Sequence, residues 1–291
     1  MADCSQKLIT VFTPTYNRCK TLSVLYDSLK RQNCRNFIWL IVDDGSTDET
    51  KEKVSNWIAE EIIDIKYIWQ ENQGKSMAHN TGVLNTHTEL FTCVDSDDSL
   101  SEEAIEKIEN YWRQREENDI GILAFRSVTG FSKTLPERQI HTTLRQAYQE
   151  YGITGDTMLI FRTDVISKFE FPKFEHEKFV PEAYLYDLTD RTGTLMMLKE
   201  VLYFGEYLSD GYTKNMAKLL KRNPKGYLAF INQRLQFDMK FKDKFLDTVR
   251  YISMAKVDGE NHIIKRAIYP LIAVLAYPFC ILLYKRRYEK I

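Results

Sequence analysis

Apolar runs and polar clusters alternate along the first 130 residues in a rhythm that predicts strands and helices in turn. Leu8 to Phe12 is a β-branched apolar run ending at Pro14, the pattern of a buried strand. Asn17 to Lys30 then places Leu22, Leu25 and Leu29 on one helical face. Phe37 to Val42 reads as a second strand, stopped by Asp43-Asp44-Gly45. Ser46 or Thr47 is expected to cap a helix that turns Val54, Trp57 and Ile58 inward, with Glu49 placed for a capping box with Ser46. Ile63 to Trp69 is a third strand, Glu71 to Gly74 a loop, and a short helix runs on through Val83. Leu90 to Val94 is a fourth strand, Ser101 to Gln114 a helix and Ile120 to Phe125 a fifth strand.

Such alternation implies an α/β fold with a mostly parallel, Rossmann-like sheet flanked by helices. Ligands bind such sheets at the carboxyl ends of the strands. The polar clusters fall there: Thr13 to Arg18, Asp43 to Thr47, Glu71 to Asn80 and Asp95 to Asp98 follow the first four strands. Beyond about residue 130 the pattern weakens, and after Thr213 it becomes basic helical stretches broken at Asn223-Pro224.

Charge is segregated along the chain. Lys214 to Ile291 holds 17 Lys and Arg against 6 Asp and Glu, a net +11, and the preceding residues carry −12. A basic tail behind an acidic body suits an anionic membrane surface, although a solvated basic helix needs no partner. No nucleic-acid partner is expected. From Ala267 to Tyr284 no charge appears, with Lys265 and Arg266 before and Lys285 to Arg287 after. As a helix this stretch reaches only about 27 Å against a hydrocarbon core of about 30 Å, and Pro270 and Pro278 interrupt it. A segment in the membrane interface fits better than a span; a helical hairpin buried on the core is the alternative. The five cysteines are scattered without metal spacing, and Met1 to Lys7 lacks the apolar run of a signal peptide, so a reducing compartment is expected.

Three carboxylates, Asp95, Asp97 and Asp98, fall within four residues after an apolar strand, where their repulsion calls for a counter-charge. Mg²⁺ or Mn²⁺ takes one or two protein carboxylates and completes its shell with water and phosphate oxygens, so Asp97 and Asp95 are candidate ligands. Asp43 and Asp44 suit a base N–H and a ribose hydroxyl, or the turn itself. Thr13, Thr15 and Arg18 are placed to meet nucleotide or phosphate oxygens at a helix N-terminus; Arg18 equally suits the surface. Glu71 to Ser76 is not a Walker A loop, because Trp69 stands where its first glycine belongs, and no G-x-G-x-x-G follows the first strand. Lys75 remains a candidate to neutralise phosphate, with His79 and Asn80 on the next turn.

The ordered set T-P-T-Y-N-R, V-D-D-G-S-T-D-E-T, E-N-Q-G-K-S-M-A-H-N-T-G and V-D-S-D-D, over roughly residues 7 to 125, resembles family 2 glycosyltransferases of the GT-A fold. The resemblance implies inverting transfer from a nucleotide sugar. Thr13 and Asp43/Asp44 would hold the nucleoside, with Asp95 and Asp98 beside the donor and Asp97 as the usual direct metal ligand. His79 departs from the arginine that many members carry there. Inversion needs a general base, and the resemblance points to Glu182, after Pro181, with Asp187 and Asp190 in reserve. Tyr207 to Thr213 loosely resembles a segment near diphosphate and acceptor.

The expected organisation is a donor-binding half over 1–100, an acceptor-binding half over 101–213 and a basic helical region over 214–291. The expected protein is an enzyme of bacterial surface-polysaccharide assembly, cytoplasmic and peripheral at the inner face of the plasma membrane, using a UDP-sugar and a lipid-linked glycan acceptor. A metal-dependent phosphohydrolase and a non-catalytic nucleotide-sugar-binding subunit are the rival readings.

Overall fold

The computed structural model describes residues 7–205 and 212–289. The chain divides into two compact units, 7–170 with 186–205, and 171–185 with 212–289; the division falls inside one short helix.

The first unit runs β1 (Ile9–Thr15), α1 (Leu22–Lys30), β2 (Phe37–Asp43), α2 (Thr50–Ala59), β3 (Ile65–Trp69), α3 (Lys75–Leu84), β4 (Leu90–Cys93), β5 (Ser99–Leu100), α4 (Ala104–Trp112) and β6 (Asp119–Arg126). It continues with β7 (Gly130–Phe131), β8 (His141–Thr142), α5 (Leu144–Gln149), β9 (Ile153–Thr154), β10 (Thr157–Arg162), α6 (Thr163–Ile166), α7 (Ala183–Thr189, which the division cuts) and β11 (Thr194–Phe204). The central sheet has the order β3-β2-β1-β4-β10-β6-β11-β5, with β8 also on β11. β1 to β4 pair in parallel, β10 enters antiparallel between β4 and β6, and β11 is parallel to β6.

All seven residues of β1 are buried, as a strand covered on both faces requires. On one face Tyr26 stacks on Trp57 at 4.2 Å, beside Trp39. On the other, α3 comes so close that a Cβ on Gly82 would stand 2.6 Å from the Phe12 ring. The register pairs Thr15 with Asp43 and Asp43 with Trp69, so β1, β2 and β3 finish level. That alignment gathers their following loops at one edge.

Three helix starts differ from the sequence pattern, α4 beginning at Ala104 and not at Ser101. α1 begins at Leu22 because Asn17 takes a left-handed conformation (φ 51°) and accepts the Thr47 N–H at 2.8 Å. α2 begins at Thr50, with no capping box at Ser46. Asp43 captures the Ser46 N–H at 2.7 Å, and Asp48 instead holds the Thr50 N–H and hydroxyl at 3.1 and 2.5 Å. Short acidic side chains compete for backbone donors in this way.

The second unit is helical: α8 (Tyr212–Arg222), α9 (Pro224–Arg234), α10 (Phe241–Val257), α11 (Ile263–Arg266) and α12 (Pro270–Arg287). Pro224 and Pro270 open their helices, where a missing N–H costs nothing. Glu177 receives the N–H groups of Lys225 and Gly226 at 3.0 and 2.9 Å and closes the start of α9. The core joins Leu228, Ile231, Ile252 and Met254 to Ala273, Ala276 and Cys280, small residues that let α12 lie close on α10. No helix among the described residues is long and apolar enough to cross a membrane. α12 is packed on one side only: Leu271, Val274, Leu275, Phe279 and Leu282 are exposed.

Candidate functional site

Four loops at the carboxyl ends of β1 to β4 build the site. Within β1, Thr13 is fully buried, and its hydroxyl accepts the Trp39 indole N–H at 3.0 Å. Thr15 is buried, its carbonyl accepts the Asp44 N–H at 2.8 Å, and its hydroxyl has no hydrogen-bond partner among the described residues. Arg18 is half-buried in the loop before α1. An open groove of about 1150 Å³ runs from Asn17 and Arg18 along α2 to Ser55 and Asn56; none of the carboxylates 95 to 98 lines it.

After β2, both acids of the Asp43-Asp44 pair are buried and engaged. Asp43 accepts the Ser46 N–H and, at 2.6 Å, the Tyr67 hydroxyl. Burial and the Asp43 charge push the Tyr67 phenol up, so it remains the donor. Asp44 accepts the Gln73 and Gly74 N–H groups at 2.9 and 2.7 Å and the Gln70 amide at 2.7 Å, and Thr81 donates to the other end of that amide. One carboxylate thus ties the β3–α3 loop to the end of β2. Gly74 opens α3 with φ 91°, a conformation that glycine adopts without strain.

The next residue, Lys75, reaches Asp95 at 2.5 Å. Burial alone would raise the Asp95 carboxyl, but the Lys75 ammonium, helped by Arg126 and Arg18, outweighs it and holds Asp95 below the usual carboxylate range. Asp98 is fixed from behind: its Oδ2 accepts the Tyr203 hydroxyl at 2.6 Å and lies 3.0 Å from Arg126. Burial pushes its carboxyl up to about 6, with Asp95 and Asp97 adding to the rise and Tyr203 and Arg126 opposing it. Asp97 is different. It is half-buried and makes no hydrogen bond or ion pair with the described residues. A metal shell made wholly of protein is absent too: no group of three or more His, Cys, Asp or Glu with ligand geometry occurs among the described residues.

His79, expected to face this site, is buried between Phe12 and Phe91, edge-on to both rings at 5.6 and 5.3 Å. It serves the underside of the sheet. Lys75 and His79 are four apart on α3, yet packing turns the imidazole inward.

Glu182 is exposed and directly precedes α7 in the second unit. Asp190, held in reserve as a base, accepts the Leu144 and Arg145 N–H groups at 2.8 Å each and so caps α5. Asp187 lies 3.4 Å from Arg145. The resembling segment Tyr207 to Thr213 falls outside the described residues up to the start of α8 at Tyr212.

Four residues of this architecture escape a reading of motifs: Tyr67, Gln70, Arg126 and Tyr203. Arg126 ends β6 and Tyr203 nearly ends β11. The rule that function gathers at strand carboxyl ends, extended beyond the first four strands, would have marked Arg126.

Sheet and loops together define an α/β protein with an acidic loop at the carboxyl edge of a largely parallel sheet. The model of glycosyl transferase family 2 matches residues 10–169, more than half of the chain, and the chain belongs to that family. Glycosyltransferase GlyA of Streptococcus pneumoniae is 39% identical over 100 residues, covering 34% of this chain and 14% of that protein. The poly(ribitol-phosphate) β-N-acetylglucosaminyltransferase TarS of Staphylococcus aureus is 24% identical over 222 residues, covering 70% of this chain and 37% of TarS. The chain therefore spans well under half the length of these curated relatives. Among solved structures, TarS 1-349 matches over 97% of this chain and 90% of that one at a TM-score of 0.60 and 18% identity. A mannosyltransferase of Pyrobaculum calidifontis, solved with GDP-Man and Mn²⁺, covers 98% and 83% at a TM-score of 0.55 and 14% identity. Likenesses this distant show a shared fold.

Proposed function

We propose that this protein is an inverting glycosyltransferase that carries a sugar from a nucleoside-diphosphate donor to an acceptor hydroxyl. The observation that carries the reading is the division of labour in the Asp95–Asp98 loop: Lys75 holds Asp95, Arg126 and Tyr203 hold Asp98, and Asp97 makes no hydrogen bond or ion pair among the described residues. Hard oxygen donors of this kind fit Mg²⁺ or Mn²⁺, with Asp97 as direct ligand and Asp95 beside it, and donor phosphates completing a shell that the protein alone does not supply. When bound, the cation stabilises the negative charge of the departing diphosphate. TarS, solved with UDP and UDP-GlcNAc, supports a nucleotide-sugar donor and favours a UDP-sugar for this chain.

The acceptor oxygen bonds to the anomeric carbon as the carbon–phosphate-oxygen bond breaks on the opposite face. The acceptor proton passes to a carboxylate, and Glu182 takes that role. Thr15, whose buried hydroxyl has no hydrogen-bond partner among the described residues, and Arg18 and Lys75, with their charge, serve the donor. Asp43 and Asp44 fix the loops that frame it, and Asp98 anchors the acidic loop. The acceptor is a lipid-linked glycan of bacterial surface-polysaccharide assembly, and the enzyme works in the cytoplasm at the inner face of the plasma membrane. A teichoic acid poly(glycerol phosphate) polymerase of Staphylococcus epidermidis and the poly(ribitol-phosphate) glycosyltransferase TarS, both similar to this chain, support that setting.

Calorimetric titration with UDP, GDP and dTDP, each with Mn²⁺ and with EDTA, tests the reading. One nucleotide binding only with Mn²⁺ is the expected result. Binding of none would overturn it and return the phosphohydrolase and partner-subunit readings.

A further inference from the structure

α12 carries apolar side chains around its whole circumference, yet it is covered on one side only. Ala273, Ala276 and Cys280 face α10 and are buried, while Leu271, Leu275 and Leu282 are 83%, 62% and 67% exposed. A helix apolar all round belongs in a core or against lipid, and this one is half in a core. The bare face does not stop at α12. Phe279, 56% exposed, meets Phe245 of α10 edge-on at 5.4 Å, and Phe245 neighbours Phe241, which is 64% exposed. An apolar surface continuous over two helices marks an interaction site.

The charges around this face select its partner. No Asp or Glu occurs between Glu260 and Glu289, whereas Lys265 and Arg266 stand at one end of the face and Lys285, Arg286 and Arg287 at the other. Tyr269 and Tyr284 lie near the two ends, each with a lysine over its ring: Lys244 at 5.4 Å and Lys256 at 4.6 Å. Aromatic rings and cations at the margins of an apolar strip are the composition that settles at the headgroup boundary of a bilayer. A second copy fits badly. Both ends of the strip are basic, so a two-fold pairing, parallel or antiparallel, sets cations against cations with no carboxylate between them.

We propose that the outer face of α12, with Phe241 of α10, lies in the plane of an anionic phospholipid bilayer, its leucines and phenylalanines among the acyl chains and its basic ends on lipid phosphates. Lying flat needs no spanning length. The inference names the surface behind the peripheral location proposed above; its test uses no nucleotide, so either reading can fail while the other stands.

The test is flotation of the purified full-length chain with phosphatidylcholine vesicles, with and without phosphatidylglycerol. The chain is expected to float with the anionic vesicles, less so as salt rises. A Leu275→Glu/Phe279→Glu variant, altered only at exposed positions, should lose at least roughly tenfold in partitioning while keeping its melting curve. Lys285→Glu/Arg286→Glu should lose a similar factor on anionic vesicles alone. Three results overturn the proposal: no flotation of the wild type, equal flotation of the leucine–phenylalanine variant, or a dimer in light scattering that this variant dissolves in a chain that binds no vesicles.

Discussion

The guanidinium of Arg126 lies 3.9 Å from the centre of the Tyr203 ring, and both side chains end on the same atom, Oδ2 of Asp98. The Tyr203 hydroxyl also accepts the N–H of Asp95 at 3.0 Å, so one phenol ties together the two ends of the acidic loop. Gly205 completes the seat, since a Cβ there would stand 2.2 Å from Asp98 Oδ1. Tyr203→Phe keeps the ring under Arg126 and removes both bonds. A buried carboxylate then loses its neutral donor, at a cost of about 2–3 kcal/mol. We expect a lower melting temperature, seen by calorimetry, and weaker Mn²⁺-dependent nucleotide binding with unchanged circular dichroism.

Among the described residues Asp97 makes no hydrogen bond or ion pair that a substitution would remove. Asp97→Asn is therefore expected to leave thermal stability within about 0.5 kcal/mol of the wild type while abolishing Mn²⁺-dependent nucleotide binding and transfer. A marked fall in stability would mean that Asp97 holds the loop instead, and would move the ligand assignment to Asp95.

Glu182 is exposed, so its replacement by glutamine is not expected to disturb packing. As the general base it should be worth roughly 10²–10⁴-fold in turnover, with nucleotide affinity unchanged. Steady-state kinetics beside a binding titration separates the two quantities, and near-normal turnover would remove Glu182 from the mechanism.

The donor-side loops were legible because strand period and motif order reinforce each other there: apolar runs stop at Pro14, Asp43 and Val94, and the polar clusters begin. The helix starts were not, because Asn17 and Asp48 reach across loops to backbone donors that local propensity assigns elsewhere. β11 escaped for a different reason. Lys199 and Glu200 interrupt its apolar run at a bulge between Leu198 and Val201, where Lys199 leaves the sheet to hold the carbonyls of Pro136, Glu137 and Arg138. With β11 hidden, so was Tyr203, and its link to Asp98 spans 105 residues. His79 is the opposite case, a residue inside a legible motif whose side chain serves the core.

Asp44→Ala should loosen the β3–α3 loop. It orphans the Gln73 and Gly74 N–H groups and the Gln70 amide together, and hydrogen bonds to a charged acceptor are the strong ones. A loss of about 3 kcal/mol is expected, read from denaturant unfolding. Hydrogen exchange should quicken at the start of α3, where Lys75 is aimed at Asp95. Asp44→Asn, which keeps one oxygen, should recover part of both effects; unchanged exchange in the alanine variant would show that the loop is held by other bonds.

The buried imidazole of His79 makes stability depend on pH in a definite direction. Burial, with the Lys75 charge adding to it, lowers its pKa to about 3, whereas the unfolded chain offers an ordinary histidine near 6.5. Between these values the unfolded state binds a proton that the folded state refuses, so stability rises with pH across that window. The contribution is complete above about pH 6.5 and falls away below it, with a slope approaching about 1.4 kcal/mol per pH unit. His79→Phe keeps a ring between Phe12 and Phe91 and should flatten this part of the stability curve measured by urea unfolding from pH 7 to 5. In the wild type the His79 ring proton should show no titration in that range by nuclear magnetic resonance; a midpoint near 6.5 would mean that solvent reaches the ring and that α3 does not seal it against β1.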